Sequence, residues 1–149
     1  MSEQTSEVAA LEIVRTINAP RDRVFAAWTQ ADQVKKWFGP GTCRVDEAQI
    51  DFKVGGRYSF KMNDTDHGDV EVAGIYKEIV DAEKLVFSWQ WQTEPLSETG
   101  VSEVTVAFVD RGDQTEVRLT HVGLISEEYA ADHDKGWNGC FDCLQELVG

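Results

Sequence analysis

The feature that most constrains this chain is a long run of two-residue periodicity through its middle. From Thr42 to Val122 apolar and polar side chains alternate. The alternation breaks only at turn residues: Gly55-Gly56, Asn63-Asp64 to Gly68, Asp81-Ala82-Glu83, Glu94 to Gly100, and Asp110 to Asp113. A period of two marks strands with one dry and one wet face, and turns at this spacing join antiparallel neighbours. The pattern predicts about six strands. Tyr58, Phe60 and Met62 share a face, as do Val70, Val72, Gly74 and Tyr76. So do Leu85, Phe87, Trp89 and Trp91, then Val104, Val106 and Phe108, then Val117, Leu119 and His121. The opposite faces carry Ser59, Lys61, Glu71, Lys77, Ser88, Gln90, Gln92, Glu116 and Arg118.

The flanks read differently. Leu11 to Asn18 alternates and predicts a first strand. Asn18-Ala19-Pro20 opens a helix, and Val24, Phe25 and Trp28 form its apolar face. Thr29 or Asp32 can cap a second short helix to about Trp37, which Gly39-Pro40-Gly41 stops. Ser126 before Glu127 and Glu128 starts a last helix that runs to about Val148. Its stripe is Tyr129, His133, Trp137, Cys140, Phe141, Leu144, Leu147 and Val148, with Lys135, Asp142 and Glu146 opposite. The fold class is therefore α+β: a strand, two short helices, a six-stranded antiparallel meander and a long C-terminal helix. A sheet with one apolar face needs a cover, and only the last helix has the length. Gly136 and Gly139 on that helix, facing bulky rings on a curved sheet, predict an apolar cavity between the two. Residues 1–8 are expected to be a flexible tail and residues 9–149 one domain. A chain of 149 residues can bury enough surface to fold without a staple.

Charge narrows the partners. The net charge is −13, and residues 76–149 alone carry five basic and fifteen acidic side chains. Such a surface repels nucleic acid and anionic membranes, so neither is expected as a partner. The N-terminus shows no signal-peptide pattern and no run long enough to span a bilayer. With an odd cysteine count (Cys43, Cys140, Cys143) this predicts a reduced, cytoplasmic protein.

Several pieces together resemble a known family. They are Asn18-Ala19-Pro20 with Val24-Phe25 and Trp28, Trp37-Phe38-Gly39-Pro40, Asp51 to Tyr58 through Gly55-Gly56, and Gly74 and Tyr76 with Glu78-Ile79. Leu85 to Trp91, Thr115 to His121, and Gly136-Trp137 with Leu144 and Leu147 complete the set. In this order they resemble the SRPBCC (START-like, helix-grip) superfamily. Within it they resemble homologues of the C-terminal domain of the activator of the heat-shock protein 90 ATPase. The resemblance covers about residues 10–149. It implies a helix-grip fold with a cavity. It implies activity less directly, because the superfamily includes ligand carriers, cyclases, hydroxylase subunits and co-chaperones. Lys53 stands where many relatives carry arginine, which leaves a link to Asp51 less bidentate.

The candidate ligand-binding residues are those expected to line the cavity: Tyr58, Phe60, Tyr76, Phe87, Trp89, Trp91, Phe108, His121, His133, Trp137 and Phe141. Aromatic walls with a few polar groups suit an apolar guest, though each ring equally stabilises an ordinary core. His121 and His133 have no Ser, Cys or carboxylate at motif spacing, so no catalytic residue is assigned. Cys140-Phe141-Asp142-Cys143 lies late in a helix amid acid, where packing is expected rather than redox chemistry or metal. Asp64 to Asp69 lacks the length of a calcium loop and reads as a hairpin tip. No cofactor or metal is expected. The leading reading is a module binding an unidentified apolar small molecule. The alternatives are co-chaperone contact with a heat-shock ATPase, as the resemblance implies, and a cavity enzyme of cyclase or dehydratase type. The ligand cup requires a pocket of roughly 300 Å³ or more; rings packed to interior density without one would defeat that reading and favour a protein partner.

Overall fold

The computed structural model describes residues 9–38, 44–64, 68–93 and 100–149. The expected tail, the Gly39-Pro40-Gly41 stop, Cys43, the tip of the Asp64–Asp69 cluster and most of the Glu94–Gly100 turn lie outside the described residues. The elements are β1 (Ala9–Ile17), α1 (Arg21–Thr29), α2 (Ala31–Trp37), β2 (Arg44–Ile50), β3 (Arg57–Asp64), β4 (Gly68–Val80), β5 (Lys84–Trp91), β6 (Val101–Arg111), β7 (Gln114–Leu124) and α3 (Glu127–Val148). All seven strands form one antiparallel sheet in the order β1-β7-β6-β5-β4-β3-β2. The meander is thus β2 to β7, and β1 adds to its far edge by pairing with β7, with Leu11 opposite His121 and Ile17 opposite Thr115.

The alternating faces fold as their chemistry requires. Val104, Val106, Phe108, Val117 and Leu119 are buried on the concave side, while Glu103, Thr105, Glu116, Arg118 and Thr120 are not. Ser59, on the wet face by sequence, is nonetheless buried. Ser126 caps α3 as expected, its hydroxyl accepting from the Tyr129 amide at 3.0 Å. The second helix starts differently: Gln30 is its N-cap with no side-chain bond, and the Thr29 hydroxyl instead donates back to the Phe25 carbonyl at 3.0 Å.

Gly74 is where the sheet needs a missing side chain. A Cβ there would sit 1.9 Å from the Ser88 carbonyl oxygen and 2.7 Å from the Tyr58 ring. The bare backbone lets Tyr58 of β3 lie across β4 and donate its hydroxyl to that Ser88 carbonyl on β5 at 2.6 Å. The phenol is buried, and burial raises its pKa well above the ordinary tyrosine value.

The cover of the sheet departs from the expectation. α3 packs along β1 and β7 at one side, while α2 lies against β2 and α1 against β6. The two short helices therefore share the work assigned to the long one. They drive three rings into the concave space. Trp28 stacks on Trp137 at 6.0 Å, Trp28 meets Trp37 at 4.8 Å, and Phe38 reaches Phe60 at 5.1 Å and Trp137 at 5.7 Å. The space predicted to stay open between sheet and α3 is largely filled from the N-terminal side.

Candidate functional site

What remains of the cup is a void of about 20 Å³. This is room for about one water, far below the volume of a preformed ligand pocket. It lies where three layers meet. Tyr58, Phe60, Tyr76, Leu85, Phe87 and Trp89 wall it from the sheet, Trp28, Val34, Trp37 and Phe38 from the α1–α2 segment, and Trp137 from α3. Its open surface is wholly apolar. Burial also raises the pKa of the Tyr76 hydroxyl, so both phenols on this wall stay protonated.

Of the residues expected to line a cavity, Tyr58, Phe60, Tyr76, Phe87, Trp89 and Trp137 wall this void. Trp91, Phe108, His121, His133 and Phe141 do not. Phe108 packs edge-on against Phe25 at 5.2 Å, and Phe141 is fully buried against Trp28 at 6.0 Å. The unfilled volume lies beside Trp89 but not beside Trp91. The sequence reading missed Trp28, Val34, Trp37, Phe38 and Leu85 as wall residues. The apolar face of α1 was visible, but nothing in a short helix tells how far its rings reach across a sheet.

The two histidines meet at the β7–α3 junction, with ring centroids 5.2 Å apart and planes perpendicular. His121 is completely buried. Its Nδ1 accepts from the Trp137 indole at 3.2 Å, and its Nε2 lies 2.7 Å from the Ser102 hydroxyl oxygen. An indole nitrogen only donates, so Nδ1 carries no proton and Nε2 carries the single one. His121 therefore donates to Ser102, whose own proton turns to the Trp89 carbonyl at 3.3 Å. This is the reverse of a nucleophile–base pair: the imidazole has no lone pair aimed at the serine. His133 follows the same logic. Its Nε2 accepts from the Trp91 indole at 3.3 Å, and its Nδ1 donates to the Tyr129 carbonyl at 2.9 Å. Burial lowers both histidine pKa values, that of His121 to about 3 with the neighbouring His133 adding to the effect. Both rings are neutral at pH 7. They satisfy the Trp137 and Trp91 indoles and fasten α3 to the sheet.

Sequence spacing did not reveal Ser102 beside His121, nineteen residues away. The hairpin register did carry the signal. The Gly112-Asp113 loop pairs Arg111 with Gln114, which sets Val104 opposite His121 and puts Ser102 one step along the same face.

Other candidates are structural here. Cys140 is buried and Cys143 half-buried, and no disulfide joins them. Burial and then the charges of Glu146 and Asp142 raise the Cys143 pKa, the opposite of a reactive thiolate. Lys53 lies 3.7 Å from Asp51, both exposed, a contact that contributes little. Among the described residues no group of three His, Cys, Asp or Glu side chains is placed to hold a metal ion. Nor is any helix long and apolar enough to cross a membrane.

Residues 18–149, from α1 through α3, match a family model. That family is described as Activator of Hsp90 ATPase homolog 1-like protein. The chain belongs to this AHSA1-like family. Among curated proteins none matches. Solved structures agree on the fold. Protein CV1439 from Chromobacterium violaceum superposes with a TM-score of 0.81 at 20% identity, covering 93% of this chain and 96% of that one. The AHSA1 protein from Silicibacter pomeroyi gives the same TM-score, identity and coverages. The Mll3558 protein from Rhizobium loti reaches 26% identity with a TM-score of 0.76, covering 94% of this chain and 96% of that one. As an AHSA1-like chain, this protein has the START-like helix-grip architecture that the resemblance implied.

Proposed function

We propose that this AHSA1-like chain is a binding module for a small apolar molecule, and that its cup is closed until the guest enters. The observation that carries this reading is the character of the void. It is wholly apolar, it lies where three separate layers meet, and Trp28 and Trp89 on its wall have indole N–H groups with no acceptor among the described residues. A core selected for stability alone gains nothing from two buried donors left unsatisfied. The void falls far short of the roughly 300 Å³ expected of a ligand cup, which counts against a preformed site. A guest must displace side chains, and Phe38 is the ring best placed to yield. It follows α2 in extended conformation and touches Phe60, Trp89 and Trp137.

Replacing Phe38 tests this. In isothermal titration with indane, Phe38→Ala should bind at least tenfold tighter than the wild type, because the guest no longer expels a ring. Phe38→Leu should fall between them and serves if the alanine variant folds poorly. Absence of binding by all three at millimolar indane would reject the cup.

A second reading is contact with a protein partner, such as the heat-shock ATPase in the family description. The closed core supports it, as do Val101 and Val122, exposed near each other across β6 and β7. Two exposed valines are an ordinary surface feature, however, and carry less than the unsatisfied indoles. A cavity enzyme has weaker support still, since His121 and His133 are committed to holding indoles. We read residues 9–149 as one domain acting in a reduced, cytoplasmic setting.

A further inference from the structure

We infer that the guest is electrically neutral and presents an accepting oxygen, of the ketone, ester or ether kind, to the indole N–H groups of Trp28 and Trp89. This rests on the binding reading above and names the chemistry of its ligand. The chain has five tryptophans. Three donate to protein acceptors: Trp37 to the Ala27 carbonyl at 2.8 Å, Trp91 to His133 Nε2 at 3.3 Å and Trp137 to His121 Nδ1 at 3.2 Å. The other two are Trp28 and Trp89, only 6% and 4% exposed, and neither donor has an acceptor among the described residues. These same two residues wall the void, and both rings contact Trp137, at 6.0 Å and 5.2 Å. Four indoles wall the void: Trp37 and Trp137 are satisfied by the protein, and Trp28 and Trp89 are the two left for a guest.

The rest of the wall sets the charge of the guest. Among the described residues, no ionisable side chain other than the two protonated phenols lines the void. A carboxylate would be buried without a counter-cation inside a chain of net charge −13, and an ammonium would meet two indole donors and no carboxylate. In the closed form the indole nitrogens are sealed from the void, whose open surface is apolar. Displacement of Phe38, which touches Trp89 at 6.0 Å, uncovers that side of the wall. Recognition of the oxygen therefore accompanies opening.

The test is a matched set of probes on the full chain by isothermal titration at pH 7.5: indane, 1-indanone and indane-1-carboxylate. The ketone should bind about tenfold tighter than the hydrocarbon, the usual effect of giving a buried donor its acceptor. The carboxylate should bind more weakly than either. In the double variant Trp28→Phe with Trp89→Phe the rings remain but the donors go, and the ketone-to-hydrocarbon ratio should fall toward one. The wild-type ratio carries the test alone if that variant does not fold. Equal affinity of indane and 1-indanone for the wild type would overturn this inference while leaving the cup standing. So would tighter binding of the carboxylate. Failure of every probe on both wild type and Phe38→Ala would instead overturn the binding reading itself.

Discussion

Trp137 is the residue on which the three layers converge, so its truncation is the most informative single change. The side chain is 3% exposed. Its ring touches Trp28 from α1, Phe38 after α2, Trp89 from β5 and His121 from β7. Trp137→Ala removes these contacts and strips His121 Nδ1 of its donor. Full burial of an aromatic ring removes roughly 150–250 Å² from water, and truncating a buried Trp costs about 3–5 kcal/mol. Leaving a buried imidazole nitrogen unpaired adds about 1–3 kcal/mol. The loss should therefore be at least about 3 kcal/mol, out of the roughly 5–15 kcal/mol that holds a domain folded. Trp137→Phe keeps most of the packing and removes only the N–H, so it should cost less than the alanine variant. The assay is urea unfolding followed by far-ultraviolet circular dichroism, because tryptophan fluorescence is itself changed by the variants. The midpoints should fall with the slope unchanged. A loss under about 1 kcal/mol for Trp137→Ala would mean that α3 does not close the fold and would refute the packing argument.

Three further outcomes follow from the same geometry. The folded His121 pKa of about 3 lies below the unfolded value near 6.5, so the unfolded state binds more protons between these limits. Its contribution to stability is therefore complete above about pH 6.5 and falls as the pH drops toward 3; His121→Asn should flatten that slope in urea midpoints taken from pH 7 to 4. Gly74→Ala forces a Cβ against the Ser88 carbonyl and the Tyr58 ring, and should lower stability by about 1–3 kcal/mol or more, whereas a change at exposed Gly112 that respects its positive φ should not. Cys140 and Cys143 should remain dithiol at a cytosolic redox poise, and intact-mass measurement with and without reductant should show no two-hydrogen difference; a persistent bridge would contradict the assignment of these residues to packing.

The sheet was legible in the sequence because period two leaves little freedom. Once Val117, Leu119 and His121 must share a dry face, the strand can sit only one way round, and the Gly112-Asp113 loop fixes its partner. The stripe of α3 was legible for the same reason at period 3.6. What could not be read was depth. Val24, Phe25 and Trp28 marked a helix face, but whether Trp28 and the following Trp37 and Phe38 stop at the rim or enter the concave space depends on how the short helices are tilted. That tilt is set by tertiary packing and has no local signal. The error followed directly: a cover made of α3 alone leaves a cavity, while a cover of three helices leaves about 20 Å³. The roles of the histidines were hidden in the same way, because a hydrogen-bond direction depends on which indole arrives at which ring nitrogen.

The central claim is that the closed cup opens to a guest at the Trp28–Trp89 wall. The five indole N–H groups give five reporters for it in ¹H–¹⁵N correlation spectra of the wild-type chain. On titration with 1-indanone the Trp28 and Trp89 indole signals should shift most, while the Trp91 signal, held by His133 and off the void, should move least. If instead the indole signals stay in place and the backbone amides around exposed Val101 and Val122 move, the probe binds the outer face and the cup account is wrong.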